Sequence, residues 1–290
     1  MNLSKKIFAA LAAVSLATAV HAAPHESSDL IPAKGGNIRI TPKFHGSLQI
    51  EYRGKVIVVD PVSAASWTKK ADIILITHPH GDHFDLAAIA NLQKATTSVT
   101  GPASIASGKI KKPFHFAPIK NGDAHAYSIE PSPNGPHLYT VYNTRNGANE
   151  EGDLNDITVA AVPAYNLVRG PQKGKKFHTK GEWNGYVLTL GGKRIYIAGD
   201  TEATPEMKAL KNIDIAFLPM NLPFTMTPQE AAQAAKAFKP KMVYPYHYRY
   251  PFDKANNNPQ QFAAALRGTK IQVRLRTWYP DAAVKKMMKK

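Results

Sequence analysis

The sequence predicts an α/β fold, and two observations carry that prediction. Short apolar runs bounded by Gly, Pro and Asn turns recur from Ile38 to Leu275, and helix start signals alternate with them. No linker long enough to separate two cores interrupts the alternation, so residues 23–290 read as a single domain.

Residues 1–22 stand apart. Lys5 and Lys6, an apolar run from Ile7 to Val20 and the small-residue site Val20-His21-Ala22 form the pattern of a secretory signal peptide cleaved after Ala22. The run is too short and Ala-rich to hold a membrane span, and no Cys follows it for lipid attachment. The expected location is therefore periplasmic or secreted. With no Cys at all, the chain uses no disulfides even in an oxidising compartment, and its stability must come from its core. The formal net charge is +16, near +14 once the signal is removed. Such a surface favours an anionic small-molecule or lipid-like substrate. The basic residues are not interleaved with aromatic ones, which argues against nucleic acid as a specific partner. The tail Lys285-Lys286-Met287-Met288-Lys289-Lys290 reads as a solvated, frayed terminus.

Residues 24–37 are polar and rich in Pro and Gly, a flexible start. β structure begins at Ile38-Arg39-Ile40. It continues as a hairpin of Ser47–Tyr52 and Val56–Val59 around Arg53-Gly54-Lys55. Asp60-Pro61 ends the second strand, because Pro has no N–H to give a ladder. Ile73-Ile74-Leu75-Ile76 has the look of a strand buried on both faces. Asp85 begins a helix over Leu86–Leu92, and a strand at Ser98–Gly101 and a short helix near Pro102–Ser107 come next. Ser128 to Asp156 reads as a loop excursion carrying a strand at Leu138–Tyr142. Ile157–Val162 is a strand, and Val187–Leu190 pairs with Arg194–Ala198 through Gly191-Gly192-Lys193. Asp200-Thr201 precedes a short helix over Thr204–Leu210. Ile213–Leu218 and Met242–Pro245 are strands around a helix that runs from the capping box Thr227-Pro228-Gln229-Glu230 to Phe238. A helix from Asn258-Pro259 to Arg267, ended by Gly268, and the run Ile271–Leu275 close the fold.

The chemistry concentrates directly after Ile76. Thr77-His78-Pro79-His80-Gly81-Asp82-His83 packs three imidazoles and a carboxylate into six positions. Imidazole nitrogen and carboxylate oxygen are donors that Zn²⁺ accepts in their deprotonated forms. Gly81 lets the backbone turn so that successive side chains converge. A polar surface loop is the bland alternative, but four such donors at the mouth of a buried strand are a poor way to build a core.

Thr-His-x-His-x-Asp-His after an apolar strand resembles the signature of the metallo-β-lactamase superfamily. Asp200, after Gly199 at a strand end, and His247, in Tyr246-His247-Tyr248, come later in that family's order. Pro163-Ala164-Tyr165-Asn166 resembles the branch with lactonase-like and phospholipase-D-like members. The resemblance covers about residues 38 to 280. It implies a four-layer αββα sandwich with metals at one edge between two sheets. It also implies that His78 and His80 hold the first metal and that Asp82, His83 and His247 hold the second, with Asp200 bridging. Where β-lactamases and glyoxalases carry a metal-binding His, this chain has Asn166, so Asn166 or His178 would complete the first site or touch substrate. His45 and Asp60 match a His before the first strand and an Asp-Pro after the second. Asp60 and His45 would stand behind the metal ligands, Asp60 orienting a metal-bound histidine; the alternatives are a turn cap for Asp60 and a satisfied or exposed histidine for His45. His115, His125 and His137 lack ligand-like neighbours and read as ordinary histidines.

The activity this implies is metal-dependent hydrolysis, with a metal-activated hydroxide attacking an ester, lactone or phosphodiester and Asp82 and Asp200 in the catalytic set. Two Zn²⁺ ions suit the donors, and Mn²⁺ or Fe²⁺ would also fit. The competing classes are a non-catalytic metal-binding or periplasmic binding protein on the same fold, and a di-iron oxidoreductase. The last would normally need a flavin domain for which the chain has no room.

Overall fold

The computed structural model describes residues 28–106, 115–130, 137–145, 156–251 and 257–289. The expected signal peptide and its cleavage site lie outside the described residues. One sheet runs in sequence order through β1 (Asp29–Ile31), β2 (Ile38–Phe44), β3 (Ser47–Tyr52), β4 (Lys55–Val59), β5 (Ile73–Leu75), β6 (Ser98–Gly101) and β7 (His115–Pro118). The later strands are β8 (Asp123–Glu130), β9 (His137–Arg145), β10 (Ile157–Ala164), β11 (Trp183–Leu190), β12 (Lys193–Ile197), β13 (Ile215–Pro219), β14 (Met242–Tyr246) and β15 (Gln272–Val273). They form a second sheet in the order β15-β14-β13-β12-β11-β10-β8-β9. The helices are α1 (Leu86–Leu92), α2 (Ala103–Ala106), α3 (Pro205–Lys208), α4 (Pro228–Phe238), α5 (Pro259–Ala265) and α6 (Asp281–Met287).

Successive side chains of a strand point to opposite faces, and β4 is covered on both. Ile57 and Val59 face the core between the sheets, with Tyr186, Leu188, Phe217 and Trp278. Val56 and Val58 turn the other way, into a cluster with Ile89 and Leu92 of α1. The second sheet does the same. Ile195 and Ile197 face inward, while Tyr196 and Ala198 join Met207 of α3, Phe238 of α4 and Phe262 of α5. The layers are therefore helices, sheet, sheet, helices, the expected αββα sandwich. Burying each large apolar side chain in these clusters contributes about 1.5–3 kcal/mol.

Three local expectations change. The flexible start contains β1, whose Asp29, Leu30 and Ile31 pair with Ile40, Arg39 and Ile38. The excursion is part of the second sheet: Ser128–Glu130 extends β8, and the strand expected at Leu138–Tyr142 is β9, paired antiparallel with β8 at the sheet edge. Its remaining parts, 131–136 and 146–155, lie outside the described residues. The basic tail is helical through Met287, because Ala283 and Val284 join the central core.

Candidate metal centre

The C-terminal ends of β4, β5, β12 and β14 meet at one edge of the sandwich. Open α/β sheets place their sites outside such strand ends. Hydrogen bonds tie the two sheets together here. The Tyr186 hydroxyl donates to the Ile76 carbonyl (2.6 Å), and the Asn184 N–H donates to the Thr77 carbonyl (3.1 Å). Within the second sheet, the Gly199 N–H donates to the Tyr246 hydroxyl (2.9 Å). Three groups of donors converge on this edge, the donor atoms of each group lying within 4.8 Å of one another. They are His78, His80 and His178; His78, His83 and Asp200; and His45, Asp82, His83 and His247.

The hydrogen bonds behind the histidines decide which ring nitrogen faces inward. Thr77 Oγ1 gives its one proton to Asp60 Oδ2 (2.7 Å), so it accepts from His78 Nδ1–H (2.9 Å). Asp60 Oδ2 also accepts from His83 Nδ1 (2.8 Å), and its Oδ1 accepts the Thr77 N–H (2.7 Å). Asp60 thus stands behind His83, on the side away from the cluster. Both rings are left with Nε2 lone pairs turned toward the cluster, the arrangement that metal-bound histidines use.

His178 reaches the same state from the other sheet. Its Nδ1 lies 2.6 Å from Asn166 Oδ1, which also accepts the His178 N–H (2.8 Å). The Asn166 amide is held in that sense because its Nδ2 donates to Glu202 Oε1 (3.1 Å) and to the Phe224 carbonyl (2.8 Å). Asn166 oxygen is therefore spent on His178, and His178 supplies the inward-facing nitrogen. Buried Glu202 also accepts the N–H groups of Leu167, Val168 and Arg169 (3.2, 3.1 and 2.7 Å), which folds the intervening loop back.

Charge and packing complete the picture. Burial would raise the Asp82 and Asp200 carboxyls, but the facing histidines hold both well below the usual carboxylate range. Burial pulls the His83 imidazole down, and with no cation beside it the charges of Asp200, Asp82 and Asp60 more than reverse this, lifting it to about 10; a cation at Nε2 would take that proton's place. Burial, with the charge of His247, holds His45 down at about 3. His45, Asp60 and His247 adopt positive φ (54°, 45° and 47°) without being glycine, a backbone cost that recurs at functional sites.

A cation fits this donor set. His78 Nε2, His178 Nε2 and Asp200 Oδ1 are buried with no hydrogen-bond partner among the described residues. Each such atom costs about 1–3 kcal/mol. With Nδ1–H bonded to Asn166, His178 Nε2 is an acceptor lying 3.3 Å from another acceptor, Asp200 Oδ2. The Nε2 atoms of His83 and His247 are 2.9 Å apart, and Asp200 Oδ1 lies 3.2 Å from His247 Nε2 and 3.5 Å from His83 Nε2. Facing acceptors of this kind are stabilised by a cation between them.

The structure thus gathers His78, His80, Asp82, His83, Asp200 and His247 at one edge, adds His178 and His45, and sets Asn166 and Asp60 behind. His125 is buried beside Thr100, outside the cluster. Four contributors carry no clear signal in the sequence. Trp183 lies among His78, His80 and His178, with ring centroids 5.2, 4.9 and 5.1 Å away. At Gly46, a Cβ would come within 2.8 Å of the His83 ring. Glu202 and Tyr279 act through hydrogen bonds to distant residues. The only sequence signals are adjacency: Gly46 is next to His45, and Glu202 is next to Asp200-Thr201.

A cleft of about 710 Å³ opens over the cluster, with Phe177, Phe224, Tyr250, Met287 and Met288 on its apolar walls. A second cleft of about 720 Å³, beside Tyr248 and Trp278, contains none of the inward-facing metal donors. Size does not distinguish the two clefts; the donors do.

Known proteins share this architecture. Residues 39–247 match the model of the β-lactamase superfamily domain. A UPF0173 metal-dependent hydrolase from Geobacillus thermodenitrificans is 31% identical over 240 residues, covering 79% of this chain and 93% of the relative. Among solved structures, an inferred metal-dependent hydrolase from Parabacteroides distasonis superposes with a TM-score of 0.68 at 39% identity, over 87% of this chain and 98% of that one. Igni18, a metallo hydrolase from Ignicoccus hospitalis, shares the fold at 21% identity and a TM-score of 0.61, over 84% and 96% of the two chains. Since the family match ends on the last histidine of the cluster and the relatives are aligned over nearly their whole length, this chain belongs to the β-lactamase superfamily and is a metal-dependent hydrolase.

Proposed function

We propose that the enzyme hydrolyses an ester, lactone or phosphodiester with an apolar arm, and that two Zn²⁺ ions serve it. The observation that carries this reading is one cleft in which inward-facing His and Asp donors lie beside an apolar rim. Phe177 and Phe224 pack edge to face at 4.9 Å, and Phe224 and Tyr250 at 5.7 Å, forming an aromatic wall. Met287 and Met288 of the C-terminal segment also line the cleft, and flexible thioethers adapt to an apolar arm. The net charge of +16 favours an anionic group elsewhere on the substrate. Imidazole-rich donors with carboxylates suit Zn²⁺, and Mn²⁺ or Fe²⁺ fit the same set.

Held by these donors, two such cations would make hydroxide available near neutral pH and polarise the electrophile. The chain's own contribution is to keep Asp82 and Asp200 ionised and facing the cleft, where Asp82 accepts a hydrogen bond from the attacking water. Thr77, Asp60 and Asn166 hold the imidazoles of His78, His83 and His178 in the orientation that leaves Nε2 available. The aromatic and Met side chains shed water from the arm of the substrate. No Ser, Cys or Lys nucleophile is needed. We propose further that the enzyme works in the periplasm or outside the cell, on the strength of the N-terminal pattern. Among the described residues no helix is long and apolar enough to cross a membrane.

Elemental analysis of the purified protein, then turnover of a p-nitrophenyl ester, a lactone and bis(p-nitrophenyl) phosphate, tests the reading. The expected result is about two metal ions per chain, with turnover of at least one substrate lost to chelator and restored by Zn²⁺. Metal-replete protein inert toward all three would overturn it.

A further inference from the structure

His45 lies among possible ligands of the second metal, and proximity alone would count it as one. The hydrogen bonds of Tyr279 say otherwise. The Tyr279 hydroxyl oxygen lies 2.8 Å from the Tyr248 N–H and 3.0 Å from the Arg249 N–H. These two backbone groups can only donate, and together they occupy the oxygen's lone pairs. The third contact, His45 Nδ1 at 2.9 Å, is then where the phenol donates its own proton. A His45 that accepts at Nδ1 carries its hydrogen on Nε2, and Nε2 lies 3.0 Å from Asp82 Oδ2. A protonated ring nitrogen has no lone pair for a metal. His78, His83 and His178 show the opposite state, with Nδ1 donating and Nε2 facing inward.

We infer that His45 is a positioning residue and not a ligand: Tyr279 sets its tautomer, and its Nε2–H holds the Asp82 carboxylate in place. The backbone supports this arrangement. The His45 N–H donates to the Trp278 carbonyl (3.2 Å), and the His247 N–H donates to the His45 carbonyl (3.3 Å). The segment that carries Tyr279 therefore grips the turn that carries His45. Tyr279 lies beyond residues 39–247, the part of the chain that the family model matches.

The inference rests on the metal-centre reading but not on the substrate, and its first readout needs no turnover. Long-range ¹⁵N–¹H NMR of the zinc-loaded full chain reads the tautomer of each histidine. His45 should show the Nε2–H form, without the shift of a zinc-bound nitrogen. Tyr279→Phe should mix in the Nδ1–H form and lower kcat about tenfold with KM unchanged, the low end of what losing such a support costs. Zinc per chain should be the same in wild type, His45→Gln and His45→Ala. His45→Gln, whose amide can still donate to Asp82, should recover most of the kcat that His45→Ala loses. Loss of one zinc per chain in both His45 variants, or a zinc-shifted His45 Nε2 in the wild type, would make His45 a ligand and overturn the inference. A Tyr279→Phe protein of lower Tm but unchanged His45 tautomer and kcat would reduce Tyr279 to a structural role and overturn it as well.

Discussion

His83 and His178 both lie within 3.5 Å of Asp200, yet the two sheets hold them by different means. On the side of the first sheet, His83 and His78 sit in one continuous loop, and a single buried carboxylate, Asp60, supports them directly and through Thr77. On the other side, His178 depends on a neutral amide, Asn166, which is held in turn by a second residue, Glu202. A charged support in one step strengthens a ligand more than a neutral support in two, because hydrogen bonds to ionised groups are roughly twice as strong. The centre is therefore asymmetric. On the proposed two-metal reading, one metal position would be gripped by the contiguous motif and a charge, and the other completed by a loop that must fold back onto it.

The largest effect should come from the residue the two sides share. Asp200→Ala removes a carboxylate that faces His83, His178 and His247 at once. We expect it to lower kcat roughly a thousandfold, as losing a fixed electrostatic group does, and to lower metal content while the far-UV circular dichroism is unchanged. An Asp200→Ala protein with full metal content and activity would remove the link between the two sides.

Asp60→Asn tests the charged support. The amide must turn an NH₂ toward either Thr77 or His83, where the native side chain only accepts. Metal affinity, read by competition with a chromophoric chelator, should fall about a hundredfold. An effect no larger than that of Asn166→Ala would contradict the asymmetry.

The same asymmetry explains how much of the molecule was legible in the sequence. His78, His80, Asp82 and His83 are neighbours along the chain, so the donors announce themselves, and Asp200 and His247 each come after a recognisable strand. The Thr227–Glu230 capping box was readable for the same reason, since its signal is local, whereas the αββα layering came from the resemblance that those motifs carry. His178 and Asn166 stand 12 residues apart, Asn166 and Glu202 stand 36 apart, and His45 and Tyr279 stand 234 apart. No propensity or spacing encodes a hydrogen bond across such distances, so the choice between Asn166 and His178 needed the folded chain. α6 is hidden because Lys285-Lys286 and Lys289-Lys290 mask Ala283 and Val284, the residues that bury it. Positive φ at His45, Asp60 and His247 carries no glycine signal at all.

On the second side, Asn166→Ala should weaken one metal position about tenfold and leave the other, a neutral contact costing less than a charged one. Trp183 offers the readout, since it packs against His178 as well as His78 and His80. Its fluorescence during zinc titration should show one tight step and one weakened step. Two equally weakened steps would mean that the loop supports the whole centre and not one half of it.

Arg169→Met should have the smallest effect and bears on what holds the His178 loop. Arg169 Nη2 donates to both carboxylate oxygens of Glu230 of α4 (2.9 and 2.8 Å), an obvious candidate for the clasp. The Glu230 side chain is 43% exposed, however, and exposed pairs contribute about 0.2–1 kcal/mol. Glu202, by contrast, is buried; its Oε1 also lies 3.5 Å from Arg169 Nη1, but three backbone N–H groups and the Asn166 amide hold it besides. Thermal unfolding of Arg169→Met should shift by a few degrees at most, and zinc affinity should stay within a factor of two. If zinc affinity instead falls as far as in Asn166→Ala, the surface pair holds the loop, and Glu202 only fills the space beneath it.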